Sequence, residues 1–92
     1  MKKLRVWWIP QVPMKSFNVE VKTVEEAHLL LETLAQYDLF QFKNKIKPDY
    51  SNVGGLQIFK DNEWIDWCDE DGNDFDEWRE DNLPKIIFPT KQ

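Results

Sequence analysis

The densest chemistry in the chain is carboxylate. Between Asp61 and Asp81 stand eleven acidic residues and one basic residue, Arg79, for a local charge of −10, while the remainder carries +5 and the whole chain −5. Calcium binding is the first chemistry such a run suggests. An EF-hand loop needs oxygen ligands at positions 1, 3 and 5, glycine at 6 and glutamate at 12. Aligning Gly72 to position 6 places Asp69 and Asp71 suitably, but puts Trp67 and Trp78 at positions 1 and 12, where neither can ligate. General acid–base work by two carboxylates needs environments that split their pKa values. In a run this dense some pair is unavoidable, so its presence says little. Electrostatic capture of a basic partner remains, by mimicry of the phosphate array of DNA. Against it stands the simpler reading of a solvated, solubilising face.

Other reactive side chains are few. The single histidine, His28, falls near the apolar stripe of a helix, where a lone histidine is more often a rim or core residue than a catalyst. Ser51 and Cys68 have no partner in sequence to activate them. One cysteine excludes an intrachain disulfide framework and a cysteine-based zinc site. Gly54-Gly55 near lysines could cradle a phosphate, but lacks the lysine–serine/threonine signature of a P-loop. A turn or bulge before a strand is the simpler reading. No metal or cofactor is expected, and the chain reads as non-enzymatic.

The elements that position these groups centre on Val53–Trp67. Two apolar and aromatic runs flank Asp61-Asn62, whose types tolerate the left-handed backbone of a hairpin turn. With these as the two loop residues, Phe59 faces Trp64, Ile58 faces Ile65 and Leu56 faces Trp67. Strand alternation then gathers Leu56, Ile58, Ile65 and Trp67 on one face, and Gln57, Phe59, Trp64 and Asp66 on the other. The second face carries an aromatic pair that needs a cover. Upstream, Lys3–Ile9 reads as a strand with Leu4, Val6 and Trp8 on one face, and Arg5, Trp7 and Ile9 on the other. Pro10 and Pro13 end it. Phe17–Val21 alternates with Phe17, Val19 and Val21 inward.

Thr23 and Glu26 form a capping box, and Val24, Ala27, Leu30, Leu31, Leu34 and Ala35 recur at helical spacing. This predicts a helix from about Val24 to about Tyr37. Leu39–Lys43 reads as a short strand or extended connector, after which Lys43, Lys45 and Lys47 alternate onto one side. Residues 48–52 read as loop. Phe75, Trp78 and Leu83 anchor a helical turn around Asp76–Asn82. Ile86-Ile87-Phe88 reads as an edge strand or an apolar clip over the aromatic face. The order ββα(β)ββ predicts an α+β fold, a mostly antiparallel sheet with one amphipathic helix packed on one face.

Ninety-two residues make a single domain, 1–92, with an acidic C-terminal segment, 68–92, expected to be partly flexible. Hydrophobic content of 41% with five tryptophans is too high for a disordered chain. No apolar run approaches the roughly 20 residues of a membrane span, and no signal-peptide core follows the basic N-terminus. A reduced, cytosolic protein is the expectation.

Several blocks carry a resemblance that composition does not. These are Arg5-Val6-Trp7-Trp8-Ile9-Pro10-Gln11-Val12-Pro13, Tyr37-Asp38-Leu39-Phe40-Gln41-Phe42, residues 46–56 from Ile46 to Leu56, and Glu63-Trp64-Ile65-Asp66-Trp67. They resemble small proteins of tailed bacteriophages and prophages, some of them labelled superinfection exclusion proteins. The resemblance covers roughly residues 3–67, and the acidic tail looks variable. It implies a non-enzymatic phage protein that acts in the host cytoplasm by binding. Taken with the charge map and the uncovered aromatic face, it makes Trp7, Phe59, Trp64, Asp66, Asp69, Glu70, Asp71 and Asp74 the candidate surface for inhibiting a bacterial host or antiviral-defence protein. The alternative is a sponge in which an oligomer holds a nucleotide second messenger at Lys43, Lys45 and Lys47. Direct nucleic-acid binding is disfavoured by the −10 segment beside the hairpin.

Overall fold

A computed structural model describes residues 3–47 and 51–86. Six elements follow one another: β1 (Leu4–Ile9), β2 (Phe17–Val21), α1 (Val24–Lys43), β3 (Val53–Lys60), β4 (Glu63–Asp66) and α2 (Phe75–Asn82). The four strands form one antiparallel sheet in the order β2-β1-β3-β4. The fold is α+β, with α1 packed across the sheet.

Local chemistry accounts for most of these elements. Asp61 and Asn62 take φ of 53° and 67°, the doubly left-handed turn that matches strand twist in a two-residue hairpin. Phe59 consequently opposes Trp64 and Ile58 opposes Ile65, and the Trp67 N–H bonds the Leu56 carbonyl at 3.0 Å. Thr23 caps α1 by accepting the Glu26 N–H at 3.0 Å, and the Glu26 carboxylate returns to the Thr23 N–H.

The core lies between the sheet and the helices. Leu4, Val6 and Trp8 of β1, Leu56 of β3, Ala27 and Leu31 of α1 and Phe75 of α2 are all buried together. Both helices therefore cover the face that carries Val6. Two inward residues stay open because they lie on edge strands with a neighbour on one side only. Phe17 of β2, paired with Trp8, is 59% exposed, and Ile65 of β4 is 39% exposed.

Two sequence expectations fail here. First, α1 does not stop near Tyr37, and Leu39–Lys43 is neither strand nor connector. The helix continues to Lys43 and is capped at Asn44, so the bracketed strand of the expected order is absent, whereas the helical turn expected around Asp76–Asn82 is present as α2. The reason is Asp38, which falls one heptad after Leu31 on the buried stripe. Its carboxylate accepts the Trp8 indole N–H at 3.0 Å and the Asn52 amide at 3.1 Å, and lies 3.5 Å from the Lys47 ammonium. A buried charge with several donors is tolerated where an unpaired one is not. A polar residue just beyond the expected helix end is thus the anchor of its last turns.

Second, Gly54 and Gly55 make no turn. They lie inside β3, opposite Trp8 and Trp7 respectively. A Cβ on Gly54 would come within 2.3 Å of the Trp8 ring, and one on Gly55 within 2.8 Å of the Trp7 indole nitrogen. The glycine pair makes room for the tryptophan pair, one on each face. Of the expected edge strand or clip, only Ile86 is described, and it is not in a strand. The rest of the expected clip, Ile87 and Phe88, lies outside the described residues.

Candidate functional site: the open sheet face and the acidic segment

The register of the sheet assembles the face away from the helices. Asn18, Trp7 and Gly55 form one row across it, and Glu20, Arg5, Gln57 and Asp66 form the next. Phe59 and Trp64 extend the face toward the hairpin turn. Their rings meet edge to face at 5.2 Å. Arg5 lies over the Trp64 ring at 4.4 Å while its Nε donates to Gln57 at 2.8 Å, and Lys3 lies 5.9 Å from the Phe59 ring centre. Cation–π contacts of this kind contribute about 0.5–1 kcal/mol each at exposed sites. They orient the aromatic pair without hiding it: Phe59 remains 37% exposed and Trp64 half-buried.

The acidic segment divides into carboxylates that build the structure and carboxylates that face out. Asp69 belongs to the first kind. Its side chain accepts the N–H groups of Asp71 and Asn73 at 2.9 and 2.8 Å and the Asn73 amide at 3.1 Å. The Asn73 amide, with the backbone donors behind it, holds the Asp69 carboxyl below its ordinary pKa. Gly72, at φ 85°, lets the loop close so that its N–H reaches the Asp69 carbonyl at 3.1 Å. Asp74 is structural too. It caps α2 by accepting the Glu77 N–H at 2.9 Å, and Glu77 returns to the Asp74 N–H at 3.0 Å.

Arg79, the segment's lone cation, bridges Asp76 at 3.0 Å to Glu32 of α1 at 3.4 Å and ties the two helices together. Glu70 and Asp71 are exposed at the loop tip, and Asp66 is exposed at the end of β4. Among the described residues no three histidine, cysteine, aspartate or glutamate side chains are placed to share a metal ion. Cys68 is exposed and unpaired by any disulfide.

Of the expected surface, the sheet brings Trp7, Phe59, Trp64 and Asp66 onto one face. Asp69 and Asp74 instead hold the loop and the second helix. The three lysines do not alternate along an extended segment. Lys43 closes α1, Lys45 takes φ 62° beyond it, and Lys47 turns inward to Asp38 and the Pro10 carbonyl. His28 lies at the seam of the helices, its Nε2 3.3 Å from the Pro84 carbonyl. The Asp38 cluster escapes a sequence reading. Its one available signal is the heptad spacing from Leu31. The second capping box was also readable, as Asp74-x-x-Glu77.

A small antiparallel sheet with one face roofed by helices and the other presenting aromatics defines an α+β protein. The superinfection exclusion gene product 17 family model matches residues 3–85, and the chain belongs to that family. The match runs through the acidic segment, beyond the residue 67 limit of the expected resemblance. The chain is similar to the superinfection exclusion protein of Salmonella phage P22, 52% identical over 81 residues that cover 74% of this chain and 79% of that relative. No solved structure matches. Among the described residues no helix is long and apolar enough to cross a membrane.

Proposed function

We propose that this phage protein acts in superinfection exclusion as a non-enzymatic binding protein in the host cytoplasm. In this reading the open sheet face engages a bacterial host or antiviral-defence protein and inhibits it. Family membership supports the exclusion role. The observation that carries the binding role is the Phe59–Trp64 pair, pre-oriented by Arg5 and Lys3 on the face that neither helix covers. Rigid, partly exposed tryptophan beside arginine is the composition of interface hot spots. Asp66, Glu70 and Asp71 supply the adjoining negative charge, which steers a basic partner.

The test is the plating of a superinfecting phage on bacteria that produce the protein. A Phe59→Ala/Trp64→Ala variant that keeps its fold should restore plating by about tenfold or more, the consequence of losing about 1.4 kcal/mol of binding. Full exclusion by that folded variant would remove the Phe59–Trp64 pair from the mechanism. A nucleotide released on denaturing the purified protein would instead support the sponge reading and direct mutagenesis to Lys43, Lys45 and Lys47.

A further inference from the structure

Beside the aromatic pair, the open face turns inward where β4 ends. β3 continues past the last β4 pairing, at Gln57–Asp66, and its Gly55 carries no side chain. The result is a cleft of about 140 Å³ lined by Trp7, Gly55, Leu56, Trp67 and Phe75, with the carboxylates of Asp66, Asp74 and Asp76. The volume is below the roughly 300 Å³ at which small-molecule sites begin, and suits one side chain rather than a nucleotide. Its chemistry is specific in sign. Indole faces attract cations, and so do carboxylates.

The protein already uses this combination internally. Arg79 lies 5.1 Å from the Phe75 ring centre and pairs with Asp76 at 3.0 Å. Arg5 lies over Trp64. Phe75 and Asp76 also line the cleft, so Arg79 already occupies its α2 side, and the Trp7–Asp66 side is the part in question. Among the described residues, no lysine or arginine lies over Trp7 or pairs with Asp66. Asp74 and Asp76 have partners of their own, so Asp66 is the carboxylate left to receive a charge.

We propose that this cleft is the seat for an arginine side chain of the bacterial partner, an inference that rests on the binding role proposed above. The guanidinium stacks against the Trp7 indole and donates to the Asp66 carboxylate. Arginine fits better than lysine because its planar fork can stack and donate at once. Gly55 is necessary to the seat, since a Cβ there would displace Trp7.

N-acetyl-arginine amide tests the seat directly, with N-acetyl-citrulline amide as its uncharged isostere. Saturable shifts of the Trp7 and Trp67 indole N–H resonances are expected on titrating the arginine compound. Citrulline should give none, and exposed Asp66→Asn should weaken the response about fivefold, the upper end for an exposed ion pair. Trp64→Ala, outside the cleft, should titrate like the wild type. No saturable shift, an equal response to citrulline, or an unchanged response in Asp66→Asn would overturn the seat. The exclusion assay separates the two ideas. Loss of exclusion in Phe59→Ala/Trp64→Ala with full exclusion in Asp66→Asn would end the seat and leave the binding face standing. Arginine binding as described, with full exclusion by the double aromatic variant, would remove the aromatic pair and leave the seat standing.

Discussion

Trp7 and Trp8 are neighbours in the chain and opposites in the structure. Trp8 is buried to 6% exposure beneath α1, with its indole N–H donated to Asp38. Trp7 lies on the open face over Gly55, half-buried beside a cleft. The same side chain stabilises the fold in one position and is offered for contact in the other. Strand alternation and two helices on one side make the difference. The faces should therefore answer mutation differently: the Trp8 face in stability, the Trp7 face in function.

The largest effect is expected at the buried carboxylate. Asp38→Ala leaves the Trp8 indole, the Asn52 amide and Lys47 without their shared acceptor, and should cost about 3–5 kcal/mol in denaturant unfolding. Asp38→Asn retains an acceptor for Trp8 and should cost less. Equal, small losses for both would mean that the end of α1 is not held there. Gly54→Ala comes next. The added methyl meets the Trp8 ring at 2.3 Å and the Trp7 carbonyl at 2.7 Å, so a loss of about 1–3 kcal/mol is expected from forced repacking.

On the other face, Trp64→Ala should cost about 1–2 kcal/mol of stability, chiefly the ring pair and its cation contact. It should cost exclusion far more. A stability loss as large as that of Asp38→Ala would erase the contrast between the faces.

The smallest effect is the acid response of the Asp69 loop. The folded pKa lies below the ordinary 3.8. Its contribution is therefore complete above about that pH and disappears as the pH falls through the lower, folded value. Asp69→Asn should remove this dependence and flatten the acid limb of the stability curve. An unchanged acid limb would assign acid sensitivity to other carboxylates.

What the sequence determined by itself is what neighbours determine. The Asp61-Asn62 turn fixes the pairing of Phe59 with Trp64, and the Thr23–Glu26 box starts α1. The alternation of Leu4, Val6 and Trp8 with Arg5 and Trp7 separates the two faces. Each rests on interactions within a few residues or on the strand period, and both are legible in one dimension. Tertiary structure decided what depends on distant partners. The helix reads as ending near Tyr37 until Trp8, 30 positions from Asp38, donates to that carboxylate. Gly54 and Gly55 read as a turn until two tryptophans of another strand demand their missing side chains. Lys47 reads as free charge until it closes on Asp38, and Asp69 reads as surface until its loop folds round it. A residue's type limits what it can bond, but only the fold supplies the partner, and with it the choice between structural support and an open surface.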